Sequence, residues 1–463
     1  GYDVALFDAM LAESEDEWAA ALDKERPRYA IIYEDNFNYL SKMCLLRMRE
    51  AAFTMTEMAE ARGCTVIVCG SDASDHLDAY LGHGADFILI GEGEHTLGEL
   101  MQSLSRKGPD ISAILGLAYK VDGRVVANPR RPDISDVDAL PFPAWDLIDV
   151  PRYREIWMKR HGYYSMNMVT TRGCPFHCNW CAKPIWGQRY NARSPENVVA
   201  EMKWLKHAYH PDHIWFVDDI MGLKLGWIAR FAELVEQQDA KIPFKSLNRA
   251  DLLLKPGEIK ALKKAGCQIT WIGAESGSQK ILDAMEKGTQ VEQIYEAARR
   301  LHEAGLKVGF FLQFGYPGET LVDIEKTLQM VRDCQPDDIG MSVSYPLPGT
   351  KFHNAVKDQL GDKQNWTDSN DLAMMYDGPF GTEFYRQLHT TLHREYRARK
   401  TWRQVTNGDA LNARKWLSLA NNAARLPLER RRLMRLASTP RPGVQMQPPA
   451  GDPAAAAEPT PQD

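Results

Sequence analysis

Residues 171–182 read TRGCPFHCNWCA and place Cys174, Cys178 and Cys181 in a C-x3-C-x2-C pattern with no fourth cysteine nearby. Thiolates at this spacing can converge on one face of a cuboidal iron–sulfur cluster, and soft sulfur ligands favour iron–sulfur or zinc over magnesium and calcium. A structural zinc site normally takes a fourth Cys or His, and His177 is poorly placed between two other ligands. The pattern therefore predicts a [4Fe–4S] cluster with one iron open to a substrate or cofactor. Zinc, or three incidental thiols, are the alternatives.

The chain from Met168 onward alternates short β-rich runs with amphipathic helices. Six such units predict a partial (β/α)6 barrel whose functional face lies at the C-terminal ends of the strands. The cysteine loop directly follows the first predicted strand, at that face. The predicted strands are residues 168–173, 213–218, 244–250, 269–275, 307–315 and 339–345.

The first third of the chain predicts a doubly wound, Rossmann-like α/β domain, since buried strands alternate with helices. The predicted strands are residues 2–8, 29–35, 64–70 and 85–94, followed by a hairpin that turns at Asp122 and Gly123. Ligands of such sheets bind at the carboxyl ends of the strands. The informative loops are therefore residues 34–39, 70–76 and 91–94.

Five segments follow from these patterns: an α/β domain (1–130), a Pro-rich acidic linker (131–164), the partial barrel (165–364), a helical region (365–438) and a Pro/Ala-rich tail (439–463). The tail has almost no large apolar residues, which predicts disorder. Because the chain starts with Gly1 in the middle of a pattern, we expect it to lack its natural beginning.

Composition limits the classes of function. The chain has 463 residues, 44% hydrophobic and 25% charged, with a net charge of -6, which predicts a soluble globular protein without a nucleic-acid or anionic-membrane footprint. The sequence contains no run of 18 or more apolar residues, so it predicts no membrane span. Eight cysteines are too sparse for a disulfide scaffold, so we expect a reducing cytoplasm. Outside the cluster loop the cysteines are expected to be small buried apolar residues: Cys44, Cys64, Cys69, Cys267 and Cys334.

Seven segments carry a resemblance to a known family, in that family's order: CPFHCNWC, YNARSPENVVAEM, IWFVDDIMGL, LNRADLL, WIGAESGSQKILDAMEKGTQVEQI, GYPGET and YPLPGT. Two further segments, ADFILIGEGEHTLGEL and LPFPAWDL, resemble the end of a B12-type domain. Over nearly all of residues 1–360 the chain resembles the cobalamin-binding branch of the radical S-adenosylmethionine (SAM) superfamily. That branch includes anaerobic Mg-protoporphyrin ester cyclase-like enzymes and many C-methyltransferases.

The resemblance implies a [4Fe–4S] cluster, SAM and cobalamin as cofactors. SAM would chelate the open iron, and its reductive cleavage would give a 5'-deoxyadenosyl radical. A reductant such as a flavodoxin or ferredoxin and a small-molecule substrate would be the partners.

The candidate SAM contacts lie beside the cysteines or at predicted strand ends: Trp180, Asp218, Arg249, Glu275 and Ser276. Trp180 either packs against the adenine or is a core aromatic residue. Arg249 either pairs with the SAM carboxylate or forms a salt bridge to Asp218 or Asp219. These aspartates either bind SAM or accept hydrogen bonds from backbone amides. Glu275 either accepts from the ribose hydroxyls or is structural.

The cobalamin site is predicted at the edge of the first sheet. The D-x-H-x-x-G signature is absent, and His76 and His83 fit a solvated helix at least as well as a cobalt ligand. Either the ligand precedes Gly1 or cobalt has no protein His below it, and we expect the latter. The residues expected to line the corrinoid are Ser71, Asp72, Gly91, Glu92 and Gly93.

Three functions remain open on the sequence. The first is a SAM- and cobalamin-dependent enzyme that methylates, cyclises or rearranges at an unactivated carbon. The second is a radical SAM enzyme that has lost cobalamin, and the third is an iron–sulfur electron carrier, disfavoured because a carrier needs four protein ligands. Loops after Tyr33, Cys69 and Ile90 would let a corrinoid face the cysteine loop, which favours C-methylation slightly over cyclisation.

Overall fold

The structure is a computed structural model that describes residues 2–33, 46–106, 110–181, 188–361 and 372–438. The loop 34–39, Cys44 and the tail 439–463 lie outside these residues. None of the helices described combines the length and apolar character that a bilayer crossing requires.

The N-terminal domain is built on one five-stranded sheet in the order β1-β2-β3-β4-β5. Its strands are β1 (Tyr29–Tyr33), β2 (Thr65–Cys69), β3 (Phe87–Leu89), β4 (Leu117–Val121) and β5 (Arg124–Ala127). The first three are parallel, and β4 and β5 form the predicted antiparallel hairpin. Its turn residues, Asp122 and Gly123, both have positive φ, as a tight hairpin turn requires.

Helices cover both faces of this sheet, which confirms the doubly wound prediction. Alternate strand residues point to opposite faces, so Val66 and Val68 enter one core while Ile67 and Cys69 enter the other. The helices of this domain are Asp16–Glu25, Leu46–Glu60, Ser71–Asp75, Leu77–Gly82 and Glu94–Leu104, with a 3-10 turn at Ala9–Leu11.

The predicted strand at residues 2–8 is wrong. The segment pairs with no strand among the described residues, and Tyr2, Val4 and Leu6 are exposed. Its apolar alternation satisfies the strand pattern, but a strand also needs a neighbour that accepts and donates the ladder hydrogen bonds. Side-chain contacts hold the segment instead: the Tyr2 hydroxyl donates to the Met101 carbonyl, and Phe7 packs on Trp18.

The second domain is an open six-stranded parallel sheet in the order β6-β9-β10-β11-β12-β13, the predicted partial barrel. Its strands are β6 (Ser165–Met168), β9 (His213–Phe216), β10 (Phe244–Asn248), β11 (Cys267–Glu275), β12 (Lys307–Phe314) and β13 (Asp338–Val343). The helices are Pro195–Ala208, Trp227–Gln237, Ala250–Leu253, Glu258–Ala265, Gln279–Ala284, Val291–Glu303, Leu321–Cys334 and Lys351–Val356, and a 3-10 turn at Lys357–Gln359 follows.

The first barrel strand lies three residues earlier than predicted. β6 ends at Met168, and the chain then forms β7 (Thr171–Arg172), which pairs antiparallel with β8 (Asn191–Ala192) outside the barrel sheet. The reason is Asp218, whose carboxylate accepts hydrogen bonds from the backbone N–H groups of Thr170 and Thr171. These amides are therefore withdrawn from the barrel ladder, and the cysteine loop follows β7.

The remaining segments are more ordered than the sequence suggested. Within the predicted linker, a helix at Val150–His161 is capped by Asp149, and 3-10 turns form at Val137–Ala139 and Trp145–Leu147. The C-terminal region is helical as predicted, with an antiparallel pair at Thr382–Thr406 and Ala413–Ala437. Side chains of the first helix join the barrel core.

Candidate functional site

The cysteine loop lies at the C-terminal end of the barrel sheet. Cys178 is buried, whereas Cys174 and Cys181 are partly buried. Among the residues that the structure describes, no three His, Cys, Asp or Glu side chains meet at a point that suits a single metal ion. A cuboidal cluster does not need such a point, because each thiolate binds a different iron atom. The assignment of the three thiols to one cluster stays a prediction, which rests on their spacing and on the place of the loop at the strand ends.

Asn179, between the second and third cysteine, fixes this loop to the barrel. Its backbone N–H donates to the Met285 carbonyl and its carbonyl accepts from the Phe352 N–H, both at 3.0 Å. Its side chain donates to the Ala284 carbonyl at 2.8 Å and accepts from the Tyr316 hydroxyl at 2.8 Å. No sequence pattern singled out this residue. Tyr316 belongs to GYPGET and Phe352 follows YPLPGT, so these two motifs serve to hold the cluster loop.

A buried ion pair lies beside the loop. The Lys287 ammonium is 2.8 Å from a carboxylate oxygen of Glu275, and both side chains are buried. The ammonium is also 6.0 Å from the Trp180 ring centroid. Burial lowers the pKa of Lys287, but the Glu275 carboxylate and the Cys178 thiol outweigh it and raise the pKa above its usual value. The ammonium thus supplies positive charge next to a predicted cluster ligand.

Glu275 ends β11 in a left-handed conformation, with φ of 55°, next to a register shift against β12. This geometry is uncommon for a non-glycine residue and is found where the surroundings hold it. Here the ion pair to Lys287 holds it. Ser276 follows, fully buried, and its hydroxyl contacts that of Thr327 and accepts from the Ser278 N–H. The hydrogen bonds of the Ser276 hydroxyl therefore stabilise the chain where β11 ends.

Arg249 follows β10 and is buried. Its guanidinium carbon lies 3.6 Å from the ring centroid of Phe176, inside the cysteine loop. It donates to Asp251 at 3.0 Å and to the Lys287 carbonyl at 3.0 Å. The salt bridge that we weighed against SAM binding is thus made to Asp251 and to neither Asp218 nor Asp219. The predicted pairing with the SAM carboxylate stays a prediction.

Asp218 is buried and accepts hydrogen bonds from backbone amides, which is one of the two roles that the sequence left open. Its carboxylate accepts from the Thr170 N–H and hydroxyl, each at 2.6 Å, and from the Thr171 N–H at 2.9 Å. Burial raises its pKa to about 6, against the effect of these hydrogen bonds. Asp219 is exposed. Trp180 is 8% exposed and belongs to the barrel core, although a bound adenine at its remaining surface stays a prediction.

Two ion pairs join the cluster loop to the N-terminal domain. Arg172, two residues before Cys174, contacts Glu92 at 2.7 Å and Glu94 at 2.6 Å. Only 4% of the Glu92 side chain is exposed. Its second oxygen accepts from the Ile134 N–H. The loop after β3 is therefore held against the strand that leads into the cysteines.

The carboxyl ends of the first three strands converge at this junction. A Cβ atom on Gly93 would lie 2.7 Å from the Tyr33 hydroxyl and 2.8 Å from the Cys69 sulfur, so only glycine allows this approach. Tyr33 ends β1 and Cys69 ends β2. Gly91, with φ of 80°, turns the chain immediately before this point. This is the edge where the sequence placed cobalamin.

The other expected cobalamin residues are internally paired. Asp72 is 3% exposed, forms a two-point ion pair with Arg49 at 2.6 Å and accepts from the Tyr80 hydroxyl. Ser71 is buried at the start of the same short helix. His76 lies 3.6 Å from Asp72, and His83 stacks on Phe53 and contacts Glu57 at 2.6 Å. A corrinoid without a protein His below cobalt stays a prediction.

Comparison with known proteins identifies the domain that carries the cysteine loop. The sequence profile of the radical SAM superfamily matches residues 168–331. An uncharacterized methyltransferase of Pyrococcus horikoshii is 32% identical over 61% of this chain and 60% of its own length. An anaerobic magnesium-protoporphyrin IX monomethyl ester cyclase of Rubrivivax gelatinosus is 29% identical over 60% of this chain and 49% of its own. The chain thus spans about half to three fifths of these relatives.

Solved structures show the same fold at low identity. The cobalamin-dependent SAM radical enzyme OxsB aligns over 92% of this chain and 67% of its own, with a TM-score of 0.67 and 17% identity. The radical SAM methyltransferase TsrM of Kitasatospora setae, with cobalamin and a [4Fe–4S] cluster bound, covers 76% of this chain and 71% of its own, with a TM-score of 0.60 and 19% identity. Residues 168–331 are a radical SAM domain, which implies SAM and a [4Fe–4S] cluster.

Proposed function

We propose that this radical SAM enzyme methylates an unactivated carbon of its substrate with the help of cobalamin. One observation carries the proposal: Arg172 ties the loop after β3 to the strand entering the cysteine loop. This contact supports a place for the predicted cobalamin site beside the predicted cluster loop. When bound, the cluster and SAM supply a carbon-centred radical oxidant, and methylcobalamin supplies the methyl group.

The protein's own residues would position and shield this chemistry. Cys174, Cys178 and Cys181 would hold the cluster, and Asn179 keeps their loop rigid. The Arg249 guanidinium, fixed over Phe176 of the cysteine loop, would pair with the SAM carboxylate. Arg249 also donates to Asp251, so a SAM carboxylate bound there would either share the guanidinium with Asp251 or displace Asp251 from it.

Glu275 would serve the ribose. Its carboxylate keeps acceptor capacity after pairing with Lys287, because an ionised carboxylate has about four lone-pair sites. Trp180 would contribute its exposed edge to the adenine. The Tyr33, Cys69 and Gly93 junction would form the floor under the corrinoid. A flavodoxin- or ferredoxin-type reductant and a cytoplasmic location complete the proposal.

Cyclisation is the second candidate, because the Rubrivivax gelatinosus cyclase shares 29% identity with this chain. The two reactions differ in where the SAM methyl group goes. The enzyme, reconstituted anaerobically with cluster and cobalamin, would be given SAM bearing a deuterated methyl group, a reductant and candidate substrates. Methylation predicts label in the product together with S-adenosylhomocysteine, since a second SAM recharges the cobalt.

Unlabelled product, formed with stoichiometric 5'-deoxyadenosine and without S-adenosylhomocysteine, would overturn methylation and favour cyclisation. Absence of a cobalamin absorbance band in protein purified from B12-supplemented cells would instead support an enzyme that has lost cobalamin. Absence of any SAM cleavage on reduction would reject all of these proposals.

A further inference from the structure

The last described helix concentrates positive charge that the chain as a whole lacks. This C-terminal helix, Ala413–Ala437, carries seven cationic side chains and a single carboxylate, that of Glu429, whereas the whole chain has a net charge of -6. Its cations are Arg414, Lys415, Arg425, Arg430, Arg431, Arg432 and Arg435. The charge of the whole chain therefore conceals a helix that is strongly cationic by itself.

The fold leaves most of these cations unneutralised. Arg430 contacts Glu395 at 2.8 Å, so its charge belongs to the packing against the helix Thr382–Thr406. Across the described ranges, no carboxylate lies within ion-pair distance of the other arginines of the C-terminal helix, which are Arg414, Arg425, Arg431, Arg432 and Arg435. All of these arginines are exposed. Their field is therefore available to an anion outside the chain.

The same helix has an apolar stripe on each of two opposite sides. The inner stripe is buried, and its residues Leu433 and Ala437 belong to the barrel core. The outer stripe follows the helical spacing of three and four residues and consists of Ala413, Leu417, Ala420, Ala424 and Leu428. All of its members are exposed, Leu417 by 72% and Leu428 by 65%. Apolar residues on both sides are typical of a helix that is covered on both sides.

Cations and an aromatic side chain border the outer stripe. Arg431 and Arg435 continue its line toward the end of the helix, at the same spacing of three and four residues. Trp416 lies at one edge of the stripe and is 48% exposed. Tryptophan is enriched where proteins meet the head-group level of a bilayer. Exposed leucine, tryptophan and arginine side chains therefore occur together on the C-terminal helix.

Shape and charge together select the occupant of this surface. Protein partners anchor their side chains in pockets, and a single convex helix offers none. A second copy of the chain would bring unneutralised arginines against one another. Nucleic acid would match the charge but would leave the exposed leucines without an apolar partner. A bilayer with anionic lipids supplies phosphates for the arginines and an apolar layer for the leucines.

We propose that the C-terminal helix lies flat on an anionic lipid bilayer, with its outer stripe in the head-group region and its arginines on lipid phosphates. Such a helix lies in the plane of the interface and does not cross the bilayer. The expectation of no anionic-membrane footprint followed from the net charge of the whole chain, which averages this helix with an acidic remainder. This surface is independent of the reaction that the enzyme catalyses.

Vesicle co-sedimentation tests the proposal on the full chain with its cluster reconstituted. The two probes are vesicles of phosphatidylcholine alone and vesicles of equal parts phosphatidylcholine and phosphatidylglycerol, which differ in surface charge. We expect the apparent affinity for the anionic vesicles to be at least about tenfold higher. Potassium chloride at molar concentration should weaken this binding, because salt screens the arginines from the phosphates.

The two exposed leucines test the apolar part of the surface. Leu417→Gln combined with Leu428→Gln should weaken binding to anionic vesicles at least about tenfold, because both side chains would leave the apolar layer. The matched control combines Leu225→Gln with Val322→Gln, two exposed apolar residues outside the helix. Its affinity for anionic vesicles should stay within about twofold of wild type.

Three arginines test the charge of the surface. Arg431→Gln, Arg432→Gln and Arg435→Gln, made together, should weaken binding to anionic vesicles at least about tenfold. The matched control removes the same charge from the barrel helix Glu258–Ala265 and should stay within about twofold of wild type. It combines Lys260→Gln, Lys263→Gln and Lys264→Gln. All of these side chains are exposed, so SAM cleavage without vesicles should stay at the wild-type level in every variant.

Equal affinity for neutral and anionic vesicles, or binding that both the leucine and the arginine variants leave unchanged, would overturn the proposal. A dimer in analytical ultracentrifugation that the leucine variant dissociates would assign the surface to a second copy of the chain. Duplex DNA that binds as tightly as the vesicles, with no effect of the leucine variant, would assign it to polyanions in general. Vesicle binding that appears only when residues 439–463 are removed would assign it to the tail. Each of these three results would also overturn the lipid proposal.

Discussion

Asn179 gives the sharpest test of how the cluster loop is held. Its buried amide makes two hydrogen bonds, to the Ala284 carbonyl and from the Tyr316 hydroxyl, each at 2.8 Å. Asn179→Ala removes both, at about 1 kcal/mol each. The Tyr316 hydroxyl can still donate to the Ala284 carbonyl, 3.0 Å away, which limits the cost of unsatisfied buried groups. We therefore expect a loss of about 2 kcal/mol in the free energy of opening the loop.

Such a loss makes the open loop about 30-fold more populated. The assay is the rate at which the reduced, reconstituted protein loses iron to a chelator under anaerobic conditions. Tyr316→Phe should increase the rate of iron loss less than Asn179→Ala does. The free-energy cost in the double variant should not exceed the sum of the two single costs, because Asn179 and Tyr316 share one hydrogen bond.

Asn354→Ala is the matched control, since Asn354 is exposed on the neighbouring helix Lys351–Val356. It should release iron at the wild-type rate. An iron-loss rate within twofold of wild type in Asn179→Ala would show that the loop is held by other contacts, and the reasoning would be refuted.

Three further predictions follow from the site. Alanine at any one of the three loop cysteines should abolish the iron–sulfur absorbance and SAM cleavage, while Cys267→Ala and Cys334→Ala retain both; full activity in a loop variant would disprove the cluster assignment. Arg172→Gln should keep the cluster and SAM cleavage but reduce the ratio of product to 5'-deoxyadenosine at least about tenfold. The control Arg131→Gln should leave this ratio unchanged, because the contacts of Arg131 stay within the N-terminal domain. Burial raises the pKa of Glu319 to about 8 from 4.5, so the folded state holds the proton more tightly than the unfolded state and stability is lost as pH rises toward 8. Urea titrations at pH 6 and pH 8 should therefore show a loss of about 2 kcal/mol in the free energy of unfolding, and Glu319→Gln should remove this loss. An equal pH slope in both proteins would contradict this.

The sequence by itself determined the features that local pattern encodes. Cysteine spacing is a property of one short loop, so Cys174, Cys178 and Cys181 were identifiable without a structure. The alternation of strands and helices predicted the two α/β domains. Burial of one face makes apolar residues recur with one spacing in strands and another in helices, so both elements can be read from the sequence. The same local rule failed at residues 2–8, since a strand pattern cannot report whether a pairing partner is present.

The tertiary structure alone decided which side chains meet. Asn179 binds residues more than 100 positions away, and Arg172 meets Glu92 and Glu94 from another domain. The partner of Arg249, which the sequence left between SAM and two aspartates, is Asp251 in the folded chain. Ion pairs and hydrogen bonds depend on distances of a few ångströms, and these are set by how helices and sheets pack rather than by separation along the chain. The packing of Trp271 against Gly309 likewise depends on the register between β11 and β12.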